Sequence, residues 1–450
     1  MTDTTPQASG STVEQVAKVG FVTATTIAIA DMIGIGVFTS LGFQVLGLQT
    51  GFPLLLLWVV GGIVALCGAL SYAELAAAFP RSGGEYNFLS RIYHPALGFL
   101  AGWVSATVGF AAPVALAAMA LGEYGAGVIP GLPKVLTGLA VVWLVSLVHL
   151  RGIEQGSQFQ TLSTLLKVGL ILVLIVAGFA IGEPQPISFA PAPGDFGQLF
   201  GSAFGISLVF VMFSYSGWNA ATYIASEVDD PARTLPRALV LGTLAVLVLY
   251  VLINAAFLYA TPIAKLAGQI QVGLVAGQAI FGESGGRIVS ALICVGLVSS
   301  ISAMMWIGPR VTMVMGEDFQ LLKMFSRKSA RGVPSAAIWL QLAVVHVLML
   351  TQSFEAILDF IQVALLFCSF LVVAGVIVLR VTRPDMERPY RTWGYPVTPI
   401  VFLAVTAFMM YYLFAERPGH ALAGFGWMLI GLALYAITAR QPLNRPAMER

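Results

Sequence analysis

Charge is what this chain has least of. Asp, Glu, Lys and Arg make up 10% of its 450 residues, against about 25% in soluble domains. So sparse a charge, with 58% apolar residues and a mean hydropathy of +0.88, excludes a water-soluble fold and implies an integral membrane protein. The net charge of +2 is too small to suggest a nucleic-acid ligand. Cysteine is scarce too. Cys67, Cys294 and Cys368 each sit inside an apolar run and read as small membrane-embedded hydrophobes, not as a disulfide set or a metal site. There is no H-E-x-x-H, no Ser/His pairing and no glycine-rich phosphate loop, so neither enzyme chemistry nor a bound metal or cofactor is expected. The stretch before Val19 is polar and lacks the basic segment of a cleavable signal, so the first apolar run is itself a span.

Long apolar runs are abundant. Counting runs of about 20 residues places twelve spans near 19–48, 52–79, 96–125, 134–150, 157–181, 199–225, 238–260, 286–315, 335–352, 357–380, 396–415 and 422–439. With the N-terminus in the cytoplasm, roughly 18 of the 23 Lys and Arg fall inside, so both termini are expected there. Lys134, Lys265, Arg287 and Arg417 fall outside, and Lys167 falls within a span.

Two spans are interrupted by small residues. The first carries Asp31-Met32-Ile33-Gly34-Ile35-Gly36-Val37-Phe38, the sixth Phe213-Ser214-Tyr215-Ser216-Gly217-Trp218-Asn219. Freed backbone groups survive at that depth only where protein or a water-filled cavity supplies partners. Paired interruptions in two halves point to a transporter's binding site. The plainer alternative is that Gly34 and Gly36 only let helices pack closely. The spacing predicts a tail at 1–18, five-span repeats of opposite orientation at 19–181 and 199–380, two further helices at 396–439, and a tail at 440–450.

At these residues the chain resembles the amino acid–polyamine–organocation superfamily, and within it the L-type amino acid transporters. Gly34-Ile35-Gly36-Val37-Phe38 is similar to the G-x-G-[IV]-F signature of the first span. Pro80-Arg81-Ser82-Gly83-Gly84-Glu85-Tyr86 is similar to the loop after span two. Phe213 to Asn219, with Glu227 and Asp230 to Pro236, resembles the sixth span and the loop beyond, and Arg388-Pro389-Tyr390 with Gly394-Tyr395-Pro396 resembles the loop before span eleven. The resemblance implies an all-α fold of about 12 transmembrane helices, the leucine-transporter type of 5+5 inverted repeat plus two, with helices 1 and 6 broken.

A broken helix exposes N–H donors at the start of its second half, which suit a carboxylate, and carbonyls at the end of its first half, which suit an ammonium. The resemblance implies that Gly34, Ile35 and Gly36 meet the carboxylate of an α-amino acid. The carbonyls of Met32, Phe213, Ser214 and Ser216 then meet its amino group, and Phe213 is the gating aromatic. Ile35 departs from the family's small or hydroxyl residue there, which removes an extra contact to the carboxylate. Lys167 stands about 9 Å inside the hydrocarbon core, within reach of the interface by snorkelling. By resemblance its ammonium replaces the sodium of sodium-coupled relatives, tying span five to span one and to Ser300 of span eight, with Ser299 and Ser302 as alternatives. Ser163 and Thr164 share its helical face. Asp31 lies too deep to reach water, and four roles stay open: ion pair with Lys167, proton carrier, ligand for a substrate amine, or a cap on the broken helix.

Among the other polar residues, Glu74 is expected at the inner interface and Glu123 at the outer one, with His149 and His346 as structural residues. The expected function is sodium-independent amino acid transport by alternating access, as exchange or proton-coupled uptake. A polyamine or amine carrier with Asp31 as ligand is the alternative, and a non-transporting nutrient sensor is a third, disfavoured by the short termini. The loop near 126–133 has no cysteine, so no disulfide-linked accessory subunit is expected.

Overall fold

A computed structural model describes residues 19–152 and 156–439, with side chains for all but 156–161. The expected tails, 1–18 and 440–450, lie outside the described residues. Helices dominate because lipid leaves backbone groups no partner but each other. The spans are α1 (Phe21–Met32) with α2 (Ser40–Gly47), α3 (Gly51–Ala78), α5 (Pro95–Val104) with α6 (Ala111–Val128), α7 (Lys134–Leu150) and α8 (Gly156–Ala180). They continue with α10 (Ser202–Tyr215) and a 3₁₀ segment at Ala220–Glu227, α11 (Pro231–Ala260), α13 (Val272–Asp318), α15 (Ser335–Thr351), α16 (Phe354–Thr382), α17 (Val397–Glu416) and α18 (Pro418–Thr438). Between them lie short α4 (Glu85–Ile92), α9 (Asp195–Gln198), α12 (Ile263–Leu266) and α14 (Lys323–Ser326).

Among the described residues, ten helical segments are long and apolar enough to cross a membrane; α7 and α15 are apolar but only 17 residues each, the lower end of spanning length. Their apolar side chains face outward in bands, as Leu165, Val173 and Val176 do on α8. Three boundaries differ from expectation. Span seven begins at Pro231, because proline suits the first turn of a helix. In α13, Gly282 at φ 75° bends a lead-in helix into span eight, and the expected loop after span two folds into α4.

The packing maps onto itself when span one is exchanged with six, two with seven, and so on. α3 lies along α11 and α6 along α13; α1 lies on α11 as α10 lies on α3; α8 lies on α13 as α16 lies on α6. That is the relation an inverted repeat produces. α17 and α18 lie outside this set, against α3, α10, α16 and α5.

Glu74, expected at the inner interface, is buried within the protein at the end of α3. Arg380 Nη2 of α16 bonds it at 2.7 Å, Arg388 Nε stands 3.3 Å away, and the Thr392 N–H donates at 2.7 Å. The acid thus clips α16 and the loop before α17 onto α3, which the short polar sequence could not announce. Glu74→Ala leaves two guanidinium groups facing each other with no counter-charge. We expect a loss of about 3–5 kcal/mol, read as a clear drop in melting temperature in detergent; an unchanged melt would contradict the clip. Glu123 is likewise paired, with Lys134 at 2.6 Å. His149 meets Ser302 at 3.1 Å, and His346 accepts from Trp143 at 2.8 Å, both structural contacts.

Candidate functional site

The first break begins where α1 ends at Met32. The Gly34 N–H turns back onto the Met32 carbonyl at 2.8 Å, one 3₁₀ turn follows at Gly36–Phe38, and α2 starts at Ser40. The second begins after Tyr215. Ser216 is extended, Gly217 has φ +101°, a conformation L side chains rarely adopt, and the chain resumes as a 3₁₀ helix. The two breaks touch. A Cβ on Gly36 would lie 2.5 Å from Ser214 Cα, and one on Gly217 would lie 2.7 Å from Asp31 Oδ2. Ser40 and Ser214 join their hydroxyls at 2.8 Å across the same contact. Glycine is therefore required by one break meeting the other, which close packing of intact helices does not explain.

Between them lies a chamber of about 20 Å³, lined by Asp31, Met32, Gly34, Ile35, Gly36, Phe213, Ser214, Ser216 and Ser300, with Pro113, Ala117 and Met304. Every residue the sequence singled out for the site lines it except Lys167. The volume is room for about one water, so an amino acid enters only as the helices part. Among the described residues, the N–H groups of Ile35 and Gly36 have no acceptor, and the carbonyls of Ser214 and Ser216 have no donor. Other expected groups are already occupied. The Gly34 N–H is spent on Met32, whose carbonyl also accepts from Tyr250 Oη at 2.6 Å, and the Phe213 carbonyl accepts the N–H and hydroxyl of Ser216. The open cradle is thus two donors on the first break and two acceptors on the second, all from residues lining one chamber.

Lys167 is 3% exposed and does not snorkel. Its Nζ donates to the carbonyls of Ala30 at 2.8 Å and Ile33 at 2.7 Å, and to Ser300 Oγ at 3.3 Å. All three N–H bonds of the ammonium are used, and α8, the end of α1 and α13 are held together. Ser163 and Thr164 are buried on the same face. Ser302, an alternative partner, is bonded to His149 instead.

Asp31 is 7% exposed; it makes no ion pair with Lys167 within 4.0 Å but lies near enough to interact with its charge, and its Oδ1 has no hydrogen-bond partner. It lines both the chamber and a second cavity of about 90 Å³ beyond Ser216 and Gly217. Sequence reasoning missed this cavity. One wall is a π turn at Ser105–Gly109. Pro113, four residues past Gly109, has no N–H to give that carbonyl and its ring would clash with a regular turn, so the helix widens there. A proline inside an apolar run was the available signal. Another wall is Glu85. Gly83 and Gly84, at φ 112° and 51°, fold the motif so that Glu85 turns inward, and a Cβ on Gly84 would strike the Tyr223 ring at 2.5 Å. Tyr72 Oη at 2.5 Å and Ser369 Oγ at 3.0 Å both donate to Glu85 Oε1. Burial pushes its carboxyl above the ordinary range, against the pull of those hydroxyls.

The amino acid permease family model matches residues 19–438. The chain is 28% identical to the serine/threonine exchanger SteT of Bacillus subtilis over 87% of its own length and 90% of that protein. It is 25% identical to the b(0,+)-type amino acid transporter 1 of Mus musculus (87% and 82% covered) and 24% identical to the Asc-type amino acid transporter 1 of Rattus norvegicus (93% and 80% covered). With both broken helices and nearly the whole chain matched, this protein belongs to the amino acid permease family of the amino acid–polyamine–organocation superfamily.

Proposed function

We propose that the protein carries amino acids across the plasma membrane by alternating access, without sodium and without enzymatic activity, as an exchanger or a proton-coupled carrier. Ile35 and Gly36 hold the carboxylate, Ser214 and Ser216 the ammonium, with Gly34, Met32 and Phe213 shaping the chamber and the Phe213 ring gating it. The repeats at 19–181 and 199–380 rock against each other, 396–439 is appended, and both tails (1–18 and 440–450) are cytoplasmic. No disulfide-linked subunit is needed. The observation that carries this reading is the Lys167 ammonium bonded to Ala30, Ile33 and Ser300. A fixed cation there leaves no vacancy for a mobile one. Serine and threonine, named for the Bacillus relative, are the first substrates to try. In proteoliposomes, labelled serine uptake is expected within about twofold when choline replaces sodium, since no ion site is emptied; a tenfold or greater dependence on sodium would contradict it.

The Asp31 carboxylate, whose Oδ1 lines the chamber without a hydrogen-bond partner, favours a second reading, in which an amine lacking the carboxylate is carried. Asp31→Asn then abolishes uptake of putrescine and leaves that of alanine or leucine; equal loss of both, or no putrescine uptake by the unaltered protein, rejects it.

A further inference from the structure

Both ionisable carboxyls among the residues lining the second cavity are unmatched there by any basic side chain. Asp31 and Glu85 line it with the aromatic rings of Phe110, Trp218, Tyr223 and Phe402, and no Lys, Arg or His does. The neighbouring cation, Lys167, has spent its three N–H bonds on Ala30, Ile33 and Ser300. Asp31 is more than nine-tenths buried with Oδ1 lacking any donor, and Glu85 is 3% exposed with both its hydroxyl partners on Oε1. Glu85 has no ion-pair partner among the described residues, and Asp31 feels the charge of Lys167 only from beyond 4.0 Å, so the two buried carboxyls are costly in a protein interior. A cation arriving between them relieves both, and aromatic faces favour it further. Volume fits as well: at roughly 10–15 Å³ for each enclosed water, about 90 Å³ takes several waters or one extended side chain.

We propose that this cavity receives the side chain of the transported amino acid and selects one ending in an ammonium or guanidinium group, with Glu85 as its anchor and Asp31 at the neck. The inference rests on the transport reading above and adds the class of substrate. Norleucine matches lysine in its carbon chain but lacks the charge. Acidic side chains are excluded by like charge.

The test is competition in proteoliposomes against labelled alanine, with labelled lysine uptake measured in parallel. Lysine and arginine are expected to compete at concentrations at least about tenfold lower than norleucine, because a site built for a polar group rejects the analogue lacking it. Glutamate is expected not to compete. Glu85→Gln should bring lysine to the level of norleucine, lowering lysine uptake more than alanine uptake, and Glu85→Asp should keep part of the preference. Norleucine competing as well as lysine in the unaltered protein overturns the proposal. So does Glu85→Gln lowering lysine and alanine uptake equally, the mark of a structural role. Absence of uptake of either amino acid by the unaltered protein would fell the transport reading and this inference with it, whereas alanine uptake without preference for charge would fell the inference alone.

Discussion

Lys167→Met is expected to reduce uptake to background while the protein remains folded and monodisperse. Methionine fills much of the same volume, so the loss is not that of a cavity. What disappears is a donor to three buried acceptors, the carbonyls of Ala30 and Ile33 and the hydroxyl of Ser300. Leaving buried acceptors unmade costs about 1–3 kcal/mol each, and the groups affected hold the end of α1 against α8 and α13. A penalty of about 3 kcal/mol on the arrangement competent for binding lowers its population roughly 100-fold. Lys167→Arg keeps the charge, but its planar fork cannot repeat three donors from one nitrogen, so uptake is expected to fall between the two. Initial-rate uptake of labelled serine measures all three proteins. If Lys167→Met transports within threefold of the unaltered protein, the ammonium is not the tie described here.

The second large effect belongs to Gly36. A methyl there would stand 2.5 Å from Ser214 Cα, and because that atom is backbone it cannot swing away. Overpacking of this kind costs about 1–3 kcal/mol or more. Here it also drives apart the two breaks whose contact shapes the chamber, so Gly36→Ala is expected to abolish uptake. Gly34 is the control. A Cβ on it would find its nearest neighbour, Ser300 Oγ, at 3.8 Å, which is ordinary contact. Gly34→Ala is therefore expected to fold with an unchanged melting temperature, and any loss of uptake in it reports on the chamber alone. Equal melting temperatures and equal uptake for the two variants would show that the breaks do not press on each other.

Much of this was legible in the sequence, and the reason is local. Apolar runs of spanning length, helix-breaking glycines inside them, and a lysine surrounded by apolar residues are features of single segments. From them came the spans and both breaks, whereas the pairing of Lys167 with Ser300, 133 positions away, came from the family resemblance. What stayed hidden depends on contacts between distant residues. That the Met32 carbonyl is already taken by Tyr250, 218 positions away, is a matter of packing that no periodicity announces. The same holds for Glu74, whose partners Arg380 and Arg388 lie at the far end of the chain. Glu85 was visible within a recognised motif, yet nothing in that motif says its side chain turns into a cavity. The second half of span six, which resumes as a 3₁₀ helix at Ala220, also left no signal: its composition is that of an ordinary apolar segment.

The most direct test of the paired breaks is a structure determined with an amino acid bound. The account predicts the ligand's carboxylate within about 3 Å of the Ile35 and Gly36 N–H groups, its ammonium against the Ser214 and Ser216 carbonyls, and a chamber widened from about 20 Å³ to fit it. A ligand seated elsewhere, or a first span running unbroken through Gly34, would contradict it.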